Sequence, residues 1–294
     1  MPVYKIYGFD VATDLTLFHV PITTQKAKVF IKEADVPDHI ENPVYKSTFF
    51  ESTGKEILIR YRDRARFMVS DHFIKYSIHG EIDKLEFTQF LIGPVFSALI
   101  HLKGEIPLHA SAVIVNQNAV LFAGDSGSGK STLAASYVKK GFNLLADDIA
   151  LTLNEKGQKT FILPSMPFLK LWSDSAEQLD LVKQDMSEIA SKCEKKAWEI
   201  SSLFCEKKAD LSKIFIIKKA SIDHIEINAI KGFEKIKFLN DIIYRSYFTR
   251  GINNQALIFD KLTIIAKNAE IFLVNRPLNT FSVEIFQKKV NEFL

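Results

Sequence analysis

The sequence predicts an α/β protein with a phosphate-loop core and a β-rich N-terminal domain. Three observations carry that expectation. The pattern G-x-x-x-x-G-K-[ST] is complete at Gly124, Gly129, Lys130 and Ser131. The apolar run Val120-Leu121-Phe122-Ala123 precedes it as a buried strand, and a helical pattern over residues 131–140 follows it, stopped by Gly141. The first 85 residues are short runs of β-branched and aromatic residues, punctuated by Pro37, Asn42-Pro43 and Gly54.

In chain order, residues 1–85 form the accessory domain and 86–294 the core. The accessory domain carries no chemical motif, so it reads as structural support or as a sheet edge for a peptide. Residues 86–102 read as one apolar helix, kinked at Gly93-Pro94 and ended by Gly104, so that 86–104 connects the two domains. Residues 107–115 form the first core strand, and Asn116 to Asn118 turn it into the next as a hairpin. His109 opens that strand. By itself, a histidine there reads as a hydrogen-bonded structural residue or as a donor near a transferring group.

The loop residues Gly124, Asp125, Ser126, Gly127, Ser128, Gly129, Lys130, Ser131 and Thr132 are the predicted nucleotide contacts. Glycines let backbone N–H groups turn onto phosphate oxygens, and the following helix adds positive potential there. In such loops the lysine reaches the β- and γ-phosphates and the hydroxyl after it binds Mg²⁺, which assigns those roles to Lys130 and Ser131. A short apolar run then ends in Asp147-Asp148, 17 residues beyond Lys130. Carboxylates at a strand's carboxyl end face the ligand in open α/β sheets. Asp147 is the second candidate Mg²⁺ ligand, and Asp148 is the candidate acceptor of a hydroxyl proton. The plainer alternative is a helix cap with a solvated neighbour.

His109-Ala-Ser-Ala, GDSGSGKST and KKGFNLLADD together resemble the catalytic core of the HPr kinase/phosphorylase family, whose fold is akin to phosphoenolpyruvate carboxykinase. The resemblance implies ATP and Mg²⁺ as cofactors, Asp148 as proton acceptor, His109 in the active site, Lys130 on phosphate and Ser131 on the metal. It also implies that the segment after the second core hairpin supplies a carboxylate or basic groups. Over the whole chain the sequence looks like the HPr kinase-like serine kinases of lasso-peptide biosynthesis clusters. The landmarks for this are Leu91-Ile-Gly-Pro94, Pro107-Leu-His-Ala-Ser111, Leu169-Lys-Leu-Trp-Ser-Asp-Ser175, Glu194-Lys-Lys196 and Tyr244-Arg245. That resemblance implies a peptide or protein acceptor with a serine hydroxyl. HPr kinases are hexameric, so a homo-oligomer is among the expected partners.

Beyond the acids, residues 149–153 and 161–163 read as a second hairpin, 168–172 as a strand or short turn, and 173–181 as a helix capped by Ser173 or Asp174. Trp172 reads as a core residue, with stacking on adenine or lining of the acceptor pocket as the functional alternative. Residues 180–197 read as a charged, helical or partly mobile stretch. There Lys196, with Lys195, is a solvated lysine or a phosphate contact. Strands are expected at 213–218, 222–227 and 270–274, and helices at 232–249, 254–267 and 282–293. Arg245, near the end of the first of these helices, is a candidate for γ-phosphoryl charge or a surface ion pair.

Of 294 residues, 47% are hydrophobic and 25% charged, with net charge +3, so composition gives no argument for nucleic acid as a partner. The histidines outside His109 show no metal-ligand spacing, and Cys193 and Cys205 read as reduced thiols. No signal-like N-terminus or apolar run near 18 residues is visible, so the expectation is a cytoplasmic protein without a membrane partner. The leading reading is an ATP-dependent kinase of a serine-type hydroxyl. A small-molecule kinase and a non-catalytic nucleotide-binding regulator are its rivals. No N-K-x-D motif supports a GTPase.

Overall fold

The structure is a computed structural model that describes residues 1–17, 19–155, 159–181, 186–188, 194–252, 254–278 and 282–294. The chain is mixed α/β and divides into two units. The first takes Met1–Pro107 and Tyr244–Ile258. The second takes Leu108–Glu188, the described residues from Glu194 to Ile243, and Phe259–Leu294. This differs from the expected boundary: the apolar helix belongs to the first unit, and a late segment returns to complete it.

The first unit is built on strands β1 (Val3–Ile6), β2 (Phe9–Thr13), β3 (Val29–Glu33), β4 (Tyr45–Lys46), β5 (Phe50–Ser52), β6 (Ile57–Tyr61), β7 (Ala65–Val69) and β8 (Phe73–Ile78). They form one sheet in the order β1-β2-β3-β8-β7-β6-β5-β4, parallel at β2–β3 and β3–β8 and antiparallel elsewhere. In β7, Ala65, Phe67 and Val69 are buried and alternate with half-buried neighbours, the period-two pattern of a one-sided sheet. Helix α1 (Lys84–Phe90) starts at Asp83, whose carboxylate accepts from Glu86 N–H at 3.0 Å. It packs on the sheet through Phe87 and Phe90, whose rings lie 5.5 and 5.6 Å from that of Phe67. The expected kink is a widened π turn over Leu91–Val95, which accommodates Pro94 before α2 (Phe96–Leu102).

Helical backbone therefore runs from Lys84 to Leu102, 19 residues with mean hydropathy 1.4, which corrects the expectation that no apolar run approaches that length. The span is 72% buried, as a core helix is. The returning segment docks by Phe248, whose ring lies 5.0 Å from that of Phe50, and by Ser52 Oγ donating to Gly251 O at 2.7 Å. Buried His101, kept neutral by desolvation with its pKa lowered to about 4, donates from Nε2 to Tyr244 O at 2.8 Å.

The chain passes between units at β9 (Ile106–Leu108). The second unit then continues with β10 (Ala110–Val115), β11 (Asn118–Gly124), α3 (Lys130–Lys139), β12 (Leu144–Ala146), β13 (Ala150–Glu155) and β14 (Lys159–Ile162). After these come β15 (Phe168–Trp172), α4 (Ser173–Gln178), β16 (Met186–Glu188), β17 (Lys195–Glu199), β18 (Ala209–Ala220), β19 (Glu226–Ile230) and α5 (Glu234–Asp241). The remaining elements are α6 (Gln255–Asn268), β20 (Glu270–Pro277) and α7 (Val283–Asn291). The β10–β11 hairpin forms as expected, with Asn116 and Gln117 at φ 48° and 68°, the doubly positive φ of a tight primed turn.

The main sheet runs β12-β10-β11-β18-β14-β13, with β20 also beside β18 and β19 beside β20. Strands β11, β18 and β20 are parallel. Helices α3 and α7 supply Leu133, Tyr137, Val138, Phe286 and Val290 to the core, where Tyr137 stacks on Phe122 at 5.4 Å. Phe122, Phe215 and Phe272 continue that layer across the three parallel strands. Each such buried ring contributes about 2 kcal/mol of apolar burial.

Two sequence expectations fail here. Residues 186–188 and 195–199 are strands of a small antiparallel sheet ordered β15-β17-β16, in which Ala197 and Trp198 of the central strand pair with Lys170 and Leu169 on one side and with Ser187 and Met186 on the other. Cys193 and the residues around it lie outside the described residues. The helix expected over 232–249 ends at Asp241. Beyond it the backbone pairs across the chain: Ile242 O accepts from His109 N–H, and Tyr244 N–H donates to Pro107 O, both at 2.8 Å. Arg245 then takes a left-handed φ of 50° before a short 3₁₀ helix, Ser246–Gly251.

Glu51, fully buried in the first unit, accepts from Ile40 N–H at 2.8 Å and from Arg60 Nη2 at 2.7 Å, and His39 Nδ1 lies at 2.9 Å. Burial pushes its carboxyl up, but these three partners outweigh that and lower it to about 2. A depressed carboxyl contributes stability that is present above its unfolded value and lost as pH falls through the folded one. Glu51→Gln is therefore expected to cost about 2 kcal/mol in urea unfolding at neutral pH, with the difference from wild type shrinking from about pH 5 toward pH 2.

Candidate active site

Strand direction assembles the site. Parallel pairing places the carboxyl ends of β11, β18 and β20 at one sheet edge. Strand β10 is antiparallel to both β11 and β12, so its first residues and the last of β12 lie at the same edge. Gly124, Lys219, Arg276, Ser111 and Asp147 therefore meet there although they are distant in sequence, in the crevice where open α/β sheets hold ligands.

The phosphate loop turns on Gly124, Gly127 and Gly129, with φ of 137°, 75° and 105°. At Gly124 the requirement is also steric, since a Cβ would lie 2.3 Å from Ile217 O on the paired strand. Lys130 is buried, and its ammonium donates to Gly124 O and Asp125 O, both at 2.9 Å. Burial lowers its pKa, opposed by Asp147 and Asp148. Arg276 braces the loop from below. Its Nε donates to Ser128 O at 2.8 Å and its Nη2 to Gly127 O at 3.3 Å.

The twin acids have different surroundings. Asp147 is buried, and its Oδ1 accepts from Ser111 Oγ at 2.6 Å and Ser131 Oγ at 2.9 Å, while Oδ2 accepts from Lys170 N–H at 2.8 Å. Burial raises its pKa, with the Lys170 N–H and the two hydroxyls opposing and Asp148 adding. Asp148 adopts a left-handed φ of 67°, which aspartate tolerates better than most residues. Its Oδ1 lies 3.6 Å from His109 Nε2 and its Oδ2 3.4 Å from Lys170 Nζ. Burial pushes this carboxyl up, but Lys170 and His109 outweigh it and hold it well below the usual carboxylate range.

A cleft of about 330 Å³ is lined by loop residues Gly127, Gly129, Lys130, Ser131 and Thr132 and by Trp172 and Leu278. Lysines 170, 195 and 219 and Arg276 line it as well. The fit of a phosphate chain can be tested on the loop itself. Ser128 Oγ is buried without a hydrogen-bond partner, and Lys130 spends its donors on loop carbonyls rather than on a carboxylate. A divalent ion fits the hard oxygens of Ser131 and Asp147. Among the described residues no group of three or more His, Cys, Asp or Glu could hold an ion alone, so phosphate oxygens would complete its shell.

The structure thus brings Lys130, Ser131, Asp147, Asp148 and His109 together at the loop. Ser126 and Asp125 stay exposed at the loop surface, and Thr132 Oγ1 donates to Ser175 Oγ at 2.9 Å. Trp172 is not a core residue: it is 38% exposed and lines the cleft. Of the paired lysines, Lys195 lines the cleft. Lys196 is exposed and, one step along β17, points to the opposite face. Arg245 belongs to the first unit, where it donates to Tyr247 Oη at 2.7 Å, and it does not line this cleft. The N-cap position of helix α4 is held by Trp172, without a side-chain cap bond, not by Ser173 or Asp174. Reading the sequence alone left Ser111, Lys219 and Arg276 without a role, and it pointed to Lys170 only through its segment.

No family profile matches the chain. Over 54 residues, 18% of this chain, it is 46% identical to the HPr kinase/phosphorylase of Chlorobium phaeobacteroides (strain BS1), and the match spans 16% of that relative's length. The Hpr(Ser) kinase/phosphatase from Coxiella burnetii aligns over 64% of this chain and 96% of its own, with 10% identity and a TM-score of 0.33.

Gly124→Ala would press a methyl group into Ile217 O at a φ that disfavours side chains. It is expected to destabilise the second unit by about 2 kcal/mol or more, measured by urea unfolding.

Proposed function

We propose that the chain is an ATP-dependent kinase of the HPr kinase type that transfers the γ-phosphoryl group to a serine-type hydroxyl of a peptide or protein. The narrowest form of the proposal is a serine of a lasso-peptide precursor, on the strength of the sequence landmarks. The observation that carries the reading is the division of labour between adjacent carboxylates. Asp147 is tied to the loop hydroxyl of Ser131, and Asp148 is held ionised beside the same loop. The local identity to an HPr kinase/phosphorylase supports it.

In this reading the loop N–H groups and Lys130 bind the phosphates of ATP, which requires Lys130 to exchange its loop carbonyls for phosphate oxygens. Ser131 and Asp147 would hold Mg²⁺, which neutralises phosphate charge when bound. Asp148 accepts a hydrogen bond from the acceptor hydroxyl and takes its proton as the new P–O bond forms. A strongly depressed carboxylate is a weak base. It suffices here because phosphoryl transfer is loose, so the proton leaves late, from an oxygen already bonding to phosphorus. His109 and Lys170 orient Asp148 and balance its charge.

The test is intact-mass analysis of serine-containing peptides, with free serine in parallel, after incubation with Mg-ATP. A phosphoryl mass gain on a peptide is expected. Gain on free serine alone would replace the peptide acceptor with a small molecule. Lys130→Ala is expected to lose nucleotide binding, and Asp148→Asn to keep it while turnover falls about a hundredfold or more, with both variants folded by circular dichroism. Asp148→Asn turnover within a few-fold of wild type would overturn the base assignment.

A further inference from the structure

The cleft lined by the phosphate loop is lined by an aromatic ring as well. Strand β15 buries Phe168, Leu169 and Leu171, yet its last residue, Trp172, leaves 38% of its surface open. Strand alternation turns the indole away from the face that buries Leu171, and there it lines the cleft shared with Gly127, Gly129 and Lys130 of the phosphate loop. Lys195, the cross-strand partner of Trp172 on β17, holds its ammonium 5.3 Å from the ring centroid. Leu278, which lines the same cleft, is 51% exposed. Thus the lining of one cleft combines loop backbone and cations suited to phosphate with an aromatic face and an aliphatic side chain suited to a flat heterocycle.

We infer that Trp172 is the platform for the nucleobase of the phosphoryl donor, with Leu278 as its aliphatic counterpart. Lys195 covers part of the indole, and the base stacks on the surface it leaves open. The position follows from the chain itself. Trp172 immediately precedes α4, and Ser175 in that helix accepts from Thr132 of the phosphate loop at 2.9 Å, so a hydrogen bond links the segment carrying the platform to the loop. The inference rests on the reading of the loop as a nucleotide site and adds which residue reads the base end. Stacking on an aromatic side chain tolerates any base, so the platform gives affinity for a nucleoside without choosing strongly among them.

Isothermal titration of the full chain with Mg-ADP and, separately, with Mg-tripolyphosphate tests this, because the second ligand has phosphates and no base. Trp172→Ala is expected to weaken Mg-ADP about ten- to a hundredfold and to leave Mg-tripolyphosphate within about twofold. Trp172→Phe should recover most of the ADP affinity. In the wild type, ADP should quench indole fluorescence that tripolyphosphate leaves unchanged, and Trp172→Phe, which retains Trp198, should lose that response. If Trp172→Ala weakens both ligands equally, or neither, the inference falls while the phosphate loop stands. A wild-type chain that binds neither ligand overturns both.

Discussion

One buried carboxylate organises the cleft edge of the second unit. Asp147 accepts from Ser111 on β10, Ser131 at the start of α3 and the backbone of Lys170 on β15, while its own N–H donates to Ser165 Oγ at 3.1 Å. Four separate segments are thereby fixed by one residue. A buried carboxylate is costly unless each oxygen is satisfied, and here each oxygen is. Removing any one partner would leave charge uncompensated in a dry site, so the arrangement resists partial change. The loop, the hairpin and the small sheet hold register because they answer to the same group.

The neighbouring carboxylate shows how backbone conformation separates two identical side chains. Consecutive residues of an extended strand point to opposite faces. The left-handed turn at Asp148 breaks that alternation, so both acids stay at the edge with different company. One meets hydroxyls and an amide, the other a lysine and a histidine. Lys170 serves both, its amide on Asp147 and its ammonium on Asp148. Environment, rather than residue type, makes one acid a tightly bound anchor and the other a standing negative charge.

What could be read from the sequence follows from distance along the chain. The loop and the twin acids are compact signals, with motif, strand and helix contiguous, and their mutual placement needs little tertiary information. Arg276, Lys219 and Ser111 reach the loop through strand pairing, whose register no local pattern reveals. The lysine pair shows the limit in its smallest form. Lys195 and Lys196 are chemically alike, and only the parity of β17 against β15 decides which one lines the cleft. For Trp172 the sequence offers both a core and a site reading, and the core reading leads because aromatic residues in an apolar run usually pack inward. The helix expected beyond residue 232 has the right periodicity as far as Asp241, after which backbone pairing across the chain prevails over it.

The return of Tyr244–Ile258 to the first unit has a consequence for biogenesis. Phe50 and Phe248 share a ring contact, and Ser52 donates to Gly251, across almost two hundred intervening residues. As the chain leaves the ribosome, its amino-terminal sheet must wait, with that apolar surface uncovered, while nearly the whole intervening stretch is synthesised. The loop-closure entropy of such a long-range contact grows slowly with length, so the delay is a matter of time rather than of final stability. Although synthesised first, this half of the molecule is completed late, and a ribosome stalled between the two units would leave both the sheet and its missing strap without a partner.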